Sequence, residues 1–207
     1  MIEVKNVSVT IGKNRILQDI SVTFEKGKIH GLIGRNGSGK TVLMKCICGF
    51  MKPTSGAVFV EGKQIGKDVD FVPDAGVIIE TPGFVPFYSG YKNLHILAEL
   101  NHGIGREEIE DAMRTVGLDP GLKRHVKKYS LGMHQRLGIA QAIMEKPQLL
   151  ILDEPFNGLD KEGVEQMRTY FLKLKEEGVT ILLTSHTSED IKLLCDTVTG
   201  MEKGRKL

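Results

Sequence analysis

The chain has 207 residues, with hydrophobic side chains at 41% and charged ones at 26%, which excludes disorder as its main state and allows a core without disulfides. Lysine and arginine number 28 against 26 acids, a net charge of +2, so no global basic field points to nucleic acid. Apolar runs such as Leu149–Leu152 stop far short of the ~20 residues that span a bilayer. The opening MIEVKNVSVT lacks a basic-then-apolar leader, and Cys46, Cys48 and Cys195 form neither an even framework nor a CxxC pair. A reduced, cytosolic protein is expected.

Glu3–Ile11 and Ile16–Phe24 alternate with a period near two, with Gly12, Lys13 and Asn14 as the turn between them. Ile29–Ile33 predicts a short strand that runs through a glycine-rich loop into a helix starting near Lys40. Ala57–Val60 followed by Glu61-Gly62-Lys63 reads as half a hairpin, and Val77–Glu80 as another strand. From Thr81, Pro82, Gly83 and Pro86 break the pattern among Phe84, Phe87, Tyr88 and Tyr91. Helical spacing then takes over: Ile109, Ala112, Met113 and Val116 share a face in Arg106–Gly117, with Gly117 as the stop. Ser130–Lys146 is a second helix, ended by Pro147. Leu149–Leu152 is an apolar strand and Lys161–Glu177 a helix whose stripe is Val164, Met167, Phe171 and Leu174. Val179–Leu183 is a further strand, and Ser188 caps the helix after it. This alternation predicts an α/β protein with a mostly parallel sheet covered on both faces. The stretch 81–145, nearly all helix, is inserted into it, and no accessory domain is expected after the last strand.

Two motifs carry phosphate chemistry. Gly34-Arg35-Asn36-Gly37-Ser38-Gly39-Lys40-Thr41 matches G-x-x-x-x-G-K-[ST], between a strand and a helix. Glycines let successive N–H groups point inward, and the helix adds its positive end. Lys40 can neutralise β/γ oxygens and the Thr41 hydroxyl can ligate Mg²⁺. In Leu149-Leu150-Ile151-Leu152-Asp153-Glu154-Pro155, a buried strand delivers two carboxylates to the C-terminal edge of the sheet, where open α/β folds bind ligands. Asp153 is expected to hold Mg²⁺ through its water shell, and Glu154 to act as general base on the attacking water. The bland alternative for the second motif is an acidic turn that caps the next helix.

At Tyr129-Ser130-Leu131-Gly132-Met133-His134-Gln135-Arg136 the chain resembles the nucleotide-binding subunit of an ATP-binding-cassette (ABC) transporter. Family members carry Leu-Ser-Gly-Gly-Gln here, followed by x-Gln-Arg; this sequence keeps Ser130, Gly132 and Gln135-Arg136 and departs at Leu131 and Met133. The resemblance spans essentially the whole chain. It implies one domain, residues 1–207: a P-loop NTPase (RecA-like) core of residues 1–80 and 146–207 with an N-terminal antiparallel β subdomain, and an inserted helical subdomain of residues 81–145. It also implies an ATPase that uses ATP and Mg²⁺, in which Ser130 and Gly132 clamp the γ-phosphate held by the opposite subunit. Asp160, in Asn157-Gly158-Leu159-Asp160, would communicate across that dimer, and by its position would also cap the helix at Lys161. His186 falls at the switch histidine that contacts γ-phosphate and water. Glu80 stands where relatives have a Mg²⁺-touching glutamine, and Ile11 where they have an aromatic residue stacked on adenine.

Glu80-Thr81-Pro82-Gly83-Phe84 and the run Ser130–Ala140 resemble bacitracin-resistance and lantibiotic-immunity exporters. The implied partners are a second nucleotide-binding subunit, with a homodimer expected, and a separate transmembrane permease docking near Glu80–Tyr91, with no nucleic acid. The implied location is cytoplasmic, peripheral on the inner face of the cell membrane. A soluble ABC ATPase without a membrane partner, as in iron–sulfur assembly, is the alternative; the coiled coils of repair types and the tandem cassettes of ribosomal types are absent. Cys46 and Cys48, at i and i+2, diverge and read as packing residues. Lys123, Arg124, His125, Lys127 and Lys128 read as a solvated basic face.

Overall fold

The computed structural model describes residues 1–100 and 104–207; residues 101–103, within the stretch expected to be inserted, lie outside the described residues. Strands β1 (Ile2–Ile11) and β2 (Asn14–Phe24) form an antiparallel hairpin that ends at the Ile11↔Asn14 pair. The buried positions of β1 are Ile2, Val4, Val7 and Val9, so the alternation slips by one residue between Val4 and Val7. Asn6 and Asp19 absorb the slip. Both have φ near +51°, and Asn6 Nδ2 donates to Asp19 Oδ1 at 3.0 Å across the bulge.

Strand β3 (Ile29–Ile33) follows, then helix α1 (Lys40–Cys48), β4 (Ser55–Val60), β5 (Lys63–Gln64) and β6 (Ala75–Ile78). Helices α2 (Gly90–Ala98), α3 (Arg106–Thr115) and α4 (Leu131–Ile143) come next, with a 3₁₀ turn at Val126–Lys128. The chain then alternates β7 (Leu149–Leu152), α5 (Lys161–Glu176), β8 (Thr180–Thr184), α6 (Ser188–Leu194), β9 (Thr197–Glu202) and β10 (Arg205–Lys206). One sheet is antiparallel in the order β2-β1-β4-β5; the other, β10-β9-β3-β8-β7-β6, is parallel except for β10. Helix α1 packs between the two sheets. Leu43, Met44, Cys46, Ile47 and Cys48 join Val7, Leu17, Leu149 and Ile151 in one core cluster, while Leu150 and Leu152 turn to a second core shared with α2, α3 and α4. Burial in these surroundings pushes the Cys46 thiol up to about 11 and Cys48 to about 12, as packing residues should behave.

Several expectations need correction. The strand read as Val77–Glu80 ends at Ile78, because its ladder with β7 closes at Ile78↔Leu152 and Asp153 N then takes the Ile78 carbonyl. Glu80 lies in the loop beyond, at φ +60°. Helix α4 stops at Ile143, ahead of Lys146, which is left-handed (φ +50°) before Pro147. Ser188 is the first residue of α6 and not its cap; Thr187 holds the cap position. Helix α2 and the β9–β10 hairpin have no counterpart in the sequence reading, α2 because aromatics and glycines blur its start and the hairpin because its strands carry few apolar residues.

Gly76 is where α4 touches the sheet: a β-carbon there would lie 1.9 Å from the Ala142 carbonyl oxygen. Gly76→Ala is expected to push α4 off β6 and to cost about 1–3 kcal/mol, read from the urea unfolding midpoint.

Candidate functional site

Strand β3 and helix α1 hold the glycine loop between them. Gly34, Gly37 and Gly39 all have positive φ, and β-carbons at the first and last would strike Met201 O at 2.3 Å and Leu17 Cδ2 at 2.7 Å. The loop is thus pinned between β9 and β2, with Arg35, Asn36 and Gly37 exposed at its tip. Gly39 caps α1 without a side-chain hydrogen bond, and no acid lies in the first turn, so the positive helix end faces the loop uncompensated. Lys40, 7% exposed, folds over the loop and donates Nζ to the carbonyls of Gly34 (2.7 Å) and Arg35 (3.3 Å). The buried Ser38 hydroxyl has no hydrogen-bond partner. A glycine loop at a helix N-terminus, a buried ammonium and an orphan hydroxyl fit a polyphosphate.

The acids follow β7, which is separated from β3 by β8. Asp153 is gripped from three sides: its N–H donates to Ile78 O (2.7 Å), the Thr41 hydroxyl donates to Oδ2 (2.7 Å) and the Thr184 hydroxyl donates to Oδ1 (2.8 Å). The Thr184 oxygen in turn accepts the Glu154 N–H at 2.8 Å. Glu154 has φ +52°, a strained value that turns its side chain toward His186. Its Oε2 accepts the His186 backbone N–H at 3.2 Å. Its Oε1 is buried without a hydrogen bond, and His186 Nε2 lies 3.3 Å from it. The Thr41 hydroxyl and Asp153 carboxylate suit Mg²⁺, which takes few protein oxygens and keeps waters and substrate phosphates. No cluster of three or more His, Cys, Asp or Glu that could hold a metal exists among the described residues. The Glu80 carboxylate, expected to be a metal ligand, meets Lys45 Nζ at 2.6 Å.

A second group forms around the start of α4. Ser130 caps that helix, accepting from Met133 N at 3.2 Å, and a β-carbon on Gly132 would lie 2.7 Å from the Gly158 carbonyl oxygen. Asp160 caps α5 through Gly163 N (3.1 Å) and pairs with Arg136 Nη2 (3.1 Å). Those two partners, the Gly163 N–H foremost, hold its carboxyl below the usual range. Arg136 also donates to Val116 O (2.6 Å), so it ties α3, α4 and α5 together. Gln135 Nε2 donates to the carbonyls of Glu154 (3.3 Å) and Pro155 (3.0 Å), which joins the second group to the first. Ile11 ends β1 about half exposed (52%) at the hairpin tip. The structure therefore links Thr41, Asp153, Glu154 and His186 directly, and Ser130, Gly132 and Asp160 separately. Sequence reasoning missed Thr184, whose only signal is a hydroxyl residue at the end of a buried strand, and the bracing roles of Gln135 and Arg136.

A model of the ABC transporter family matches residues 17–157. The chain is 45% identical to the ABC transporter ATP-binding protein YybJ of Bacillus subtilis, over 99% of this chain and 94% of the relative. It is 42% identical to the bacitracin transport ATP-binding protein BcrA of Enterococcus faecalis, over 99% of this chain and 67% of that one. Among solved structures, a dimeric ATP-binding cassette in a post-hydrolysis state bound to ADP and Pi superposes with a TM-score of 0.89. That superposition covers 100% of this chain and 96% of the other at 20% identity, and it speaks for the fold alone.

The fully buried Thr184 hydroxyl serves both acids at once. Thr184→Val would leave the Glu154 N–H without its acceptor and one Asp153 oxygen without its donor. The expected loss is about 1–3 kcal/mol of stability, measured by chemical denaturation.

Proposed function

This chain belongs to the ABC transporter family, as an ATP-binding subunit and an ATPase coupled to transport, and from that premise we propose how its residues divide the work. Residues 1–80 and 146–207 act as the nucleotide-binding core and residues 81–145 as the helical lobe. ATP lies with its phosphates in the loop of Gly34, Arg35, Asn36, Gly37, Ser38 and Gly39, with Lys40 leaving the loop carbonyls to meet the β/γ oxygens. Ile11 covers one face of the adenine without stacking on it. Thr41 and Asp153 hold Mg²⁺, with Glu80 as a third oxygen once it parts from Lys45. When bound, the metal supplies charge that offsets the phosphate oxygens.

Hydrolysis is in-line attack of water on the γ-phosphorus, in which the new P–O bond forms as the bond to the β–γ bridging oxygen breaks and ADP leaves. Glu154 takes the water's proton on its carboxylate, and His186 orients the water and γ-phosphate. Lys40 spreads the charge that builds on the phosphate oxygens. The observation that carries this reading is the continuous chain of contacts Thr41–Asp153–Thr184–Glu154–His186, which brings both acids and the histidine to one edge of the parallel sheet.

Two copies pair head to tail, so that Ser130, Gly132 and Asp160 of each face the nucleotide of the other. The exposed Ser130 cap and the positive end of α4 support that role. No helix among the described residues is long and apolar enough to cross a membrane, and the pore is assigned to a separate permease. A groove of about 700 Å³ lined by Phe50, Phe71, Glu80, Pro82 and Leu97 supports docking of that permease near Glu80–Tyr91 on the inner face of the membrane. Export is the direction favoured by the Glu80–Phe84 resemblance and by the likeness to a bacitracin transport protein. The same likenesses disfavour a soluble ATPase of the iron–sulfur assembly kind.

Glu154→Gln is expected to lower the ATP turnover number by about 10²–10⁴-fold and to accumulate an ATP-bound dimer on size exclusion; a wild-type rate would remove Glu154 as the base. Glu80→Gln is expected to raise the Mg²⁺ concentration for half-maximal activity severalfold in a metal titration. An unchanged titration takes Glu80 out of the metal site.

A further inference from the structure

Behind His186 lies a buried ion pair that phosphate chemistry does not account for. Arg168 on α5, 6% exposed, donates Nε (2.9 Å) and Nη2 (2.5 Å) to Asp190 Oδ1 on α6, and Asp190 is 2% exposed. The outer edge of the guanidinium reaches the exposed acids Glu165 (2.6 Å) and Glu189 (3.2 Å). The other oxygen of Asp190 points the opposite way and accepts the Ser185 hydroxyl at 2.5 Å. The Ser185 oxygen then accepts the Thr187 N–H at 3.1 Å. Both neighbours of His186 are thus tied to one buried carboxylate. His186 itself makes its contacts among the described residues with Glu154.

Taking two charges out of water costs several kcal/mol per ion, and an apolar pair of similar volume is often as stable. The charges are therefore explained better by what they orient than by stability. Helix α6 has seven residues and no side-chain hydrogen bond at its cap, so its placement depends on tertiary ties. Glu154, Gly158, Arg168, His186 and Asp190 together line one cleft of about 620 Å³. The pair is thus built into the wall on which His186 stands.

We propose that Arg168, Asp190 and Ser185 are positioning residues for His186. They fix the backbone of the 185–187 turn so that the histidine N–H and ring both meet Glu154, and they touch neither nucleotide nor water. The inference rests on the assignment of Glu154 and His186 to the hydrolytic step. Because the pair bridges α5 and α6, movement of α5 at its Asp160 end would reach the histidine through this bond.

Ser185→Ala breaks the last link and leaves the ion pair intact. A paired Arg168→Met/Asp190→Leu variant removes both charges together, which avoids stranding one of them in the core. Four quantities would be measured for each: kcat, the KM for ATP, Tm, and the His186 ring resonance assigned with His186→Gln. Expected are a 5–20-fold lower kcat, a KM within twofold, a Tm within a few degrees, and a displaced His186 resonance. A wild-type kcat overturns the inference. So does a lost kcat with an unmoved resonance, or one that falls in step with KM and Tm as scaffold damage would. His186→Ala serves as the control: a wild-type rate there overturns the assignment of the histidine and the inference with it. A crippled His186→Ala beside a wild-type Ser185→Ala overturns the inference alone.

Discussion

Asp153 is the point on which the rest of this molecule depends. A carboxylate at the end of a strand buried on both faces is tolerable only if hydrogen bonds satisfy it. Here Thr41 comes from the helix after the glycine loop and Thr184 from the neighbouring strand, so two separate elements are drawn to one side chain. The parallel order β8-β7-β6 makes this work, since it brings the C-terminal ends of the strands to one edge. Phosphate loop, acids and histidine then share that edge without any long-range search by flexible loops.

Around this anchor, backbone conformations do what side chains alone could not. Gly34 and Gly39 sit where a β-carbon would collide with neighbouring strands, so only glycine lets the loop approach the strands this closely. Glu154 pays no such steric toll to a neighbour but holds a left-handed backbone, which the Thr184 hydroxyl stabilises by accepting its N–H. Strain of this kind persists only where the surroundings over-determine it. The Gln135 amide adds to that by holding the Glu154 and Pro155 carbonyls from α4.

The helical stretch is not a body with a core of its own. Leu94, Ile109, Met113 and Leu137 share one apolar cluster with Leu150, Leu152 and Ile181 of the sheet. Arg136 and Gln135 carry polar ties from the same helix to α5 and to the acidic loop. A displacement of α4 would therefore be felt at Glu154 and at Asp160 together. This is a geometric basis for linking the docking surface proposed near Glu80 to the sheet edge proposed for hydrolysis.

The sequence by itself determined the glycine loop, the acidic strand end, the buried stripe of α3, the Met167 and Phe171 half of the α5 stripe and the Asp160 cap, because each rests on neighbours close in the chain. The helix stripe at Ile109, Ala112, Met113 and Val116, for example, is buried as its 3.6-residue spacing demands. Tertiary structure alone decided where Glu80 points, since its partner Lys45 is 35 residues away, and that Ile78 ends its strand. The bulge that shifts the phase of β1 was equally hidden, because it depends on Asp19 across the hairpin. Thr184, Arg168 and Asp190 carry no local signature. Their roles arise from distances across the sheet and between helices, and such contacts are fixed by packing and not by spacing along the chain.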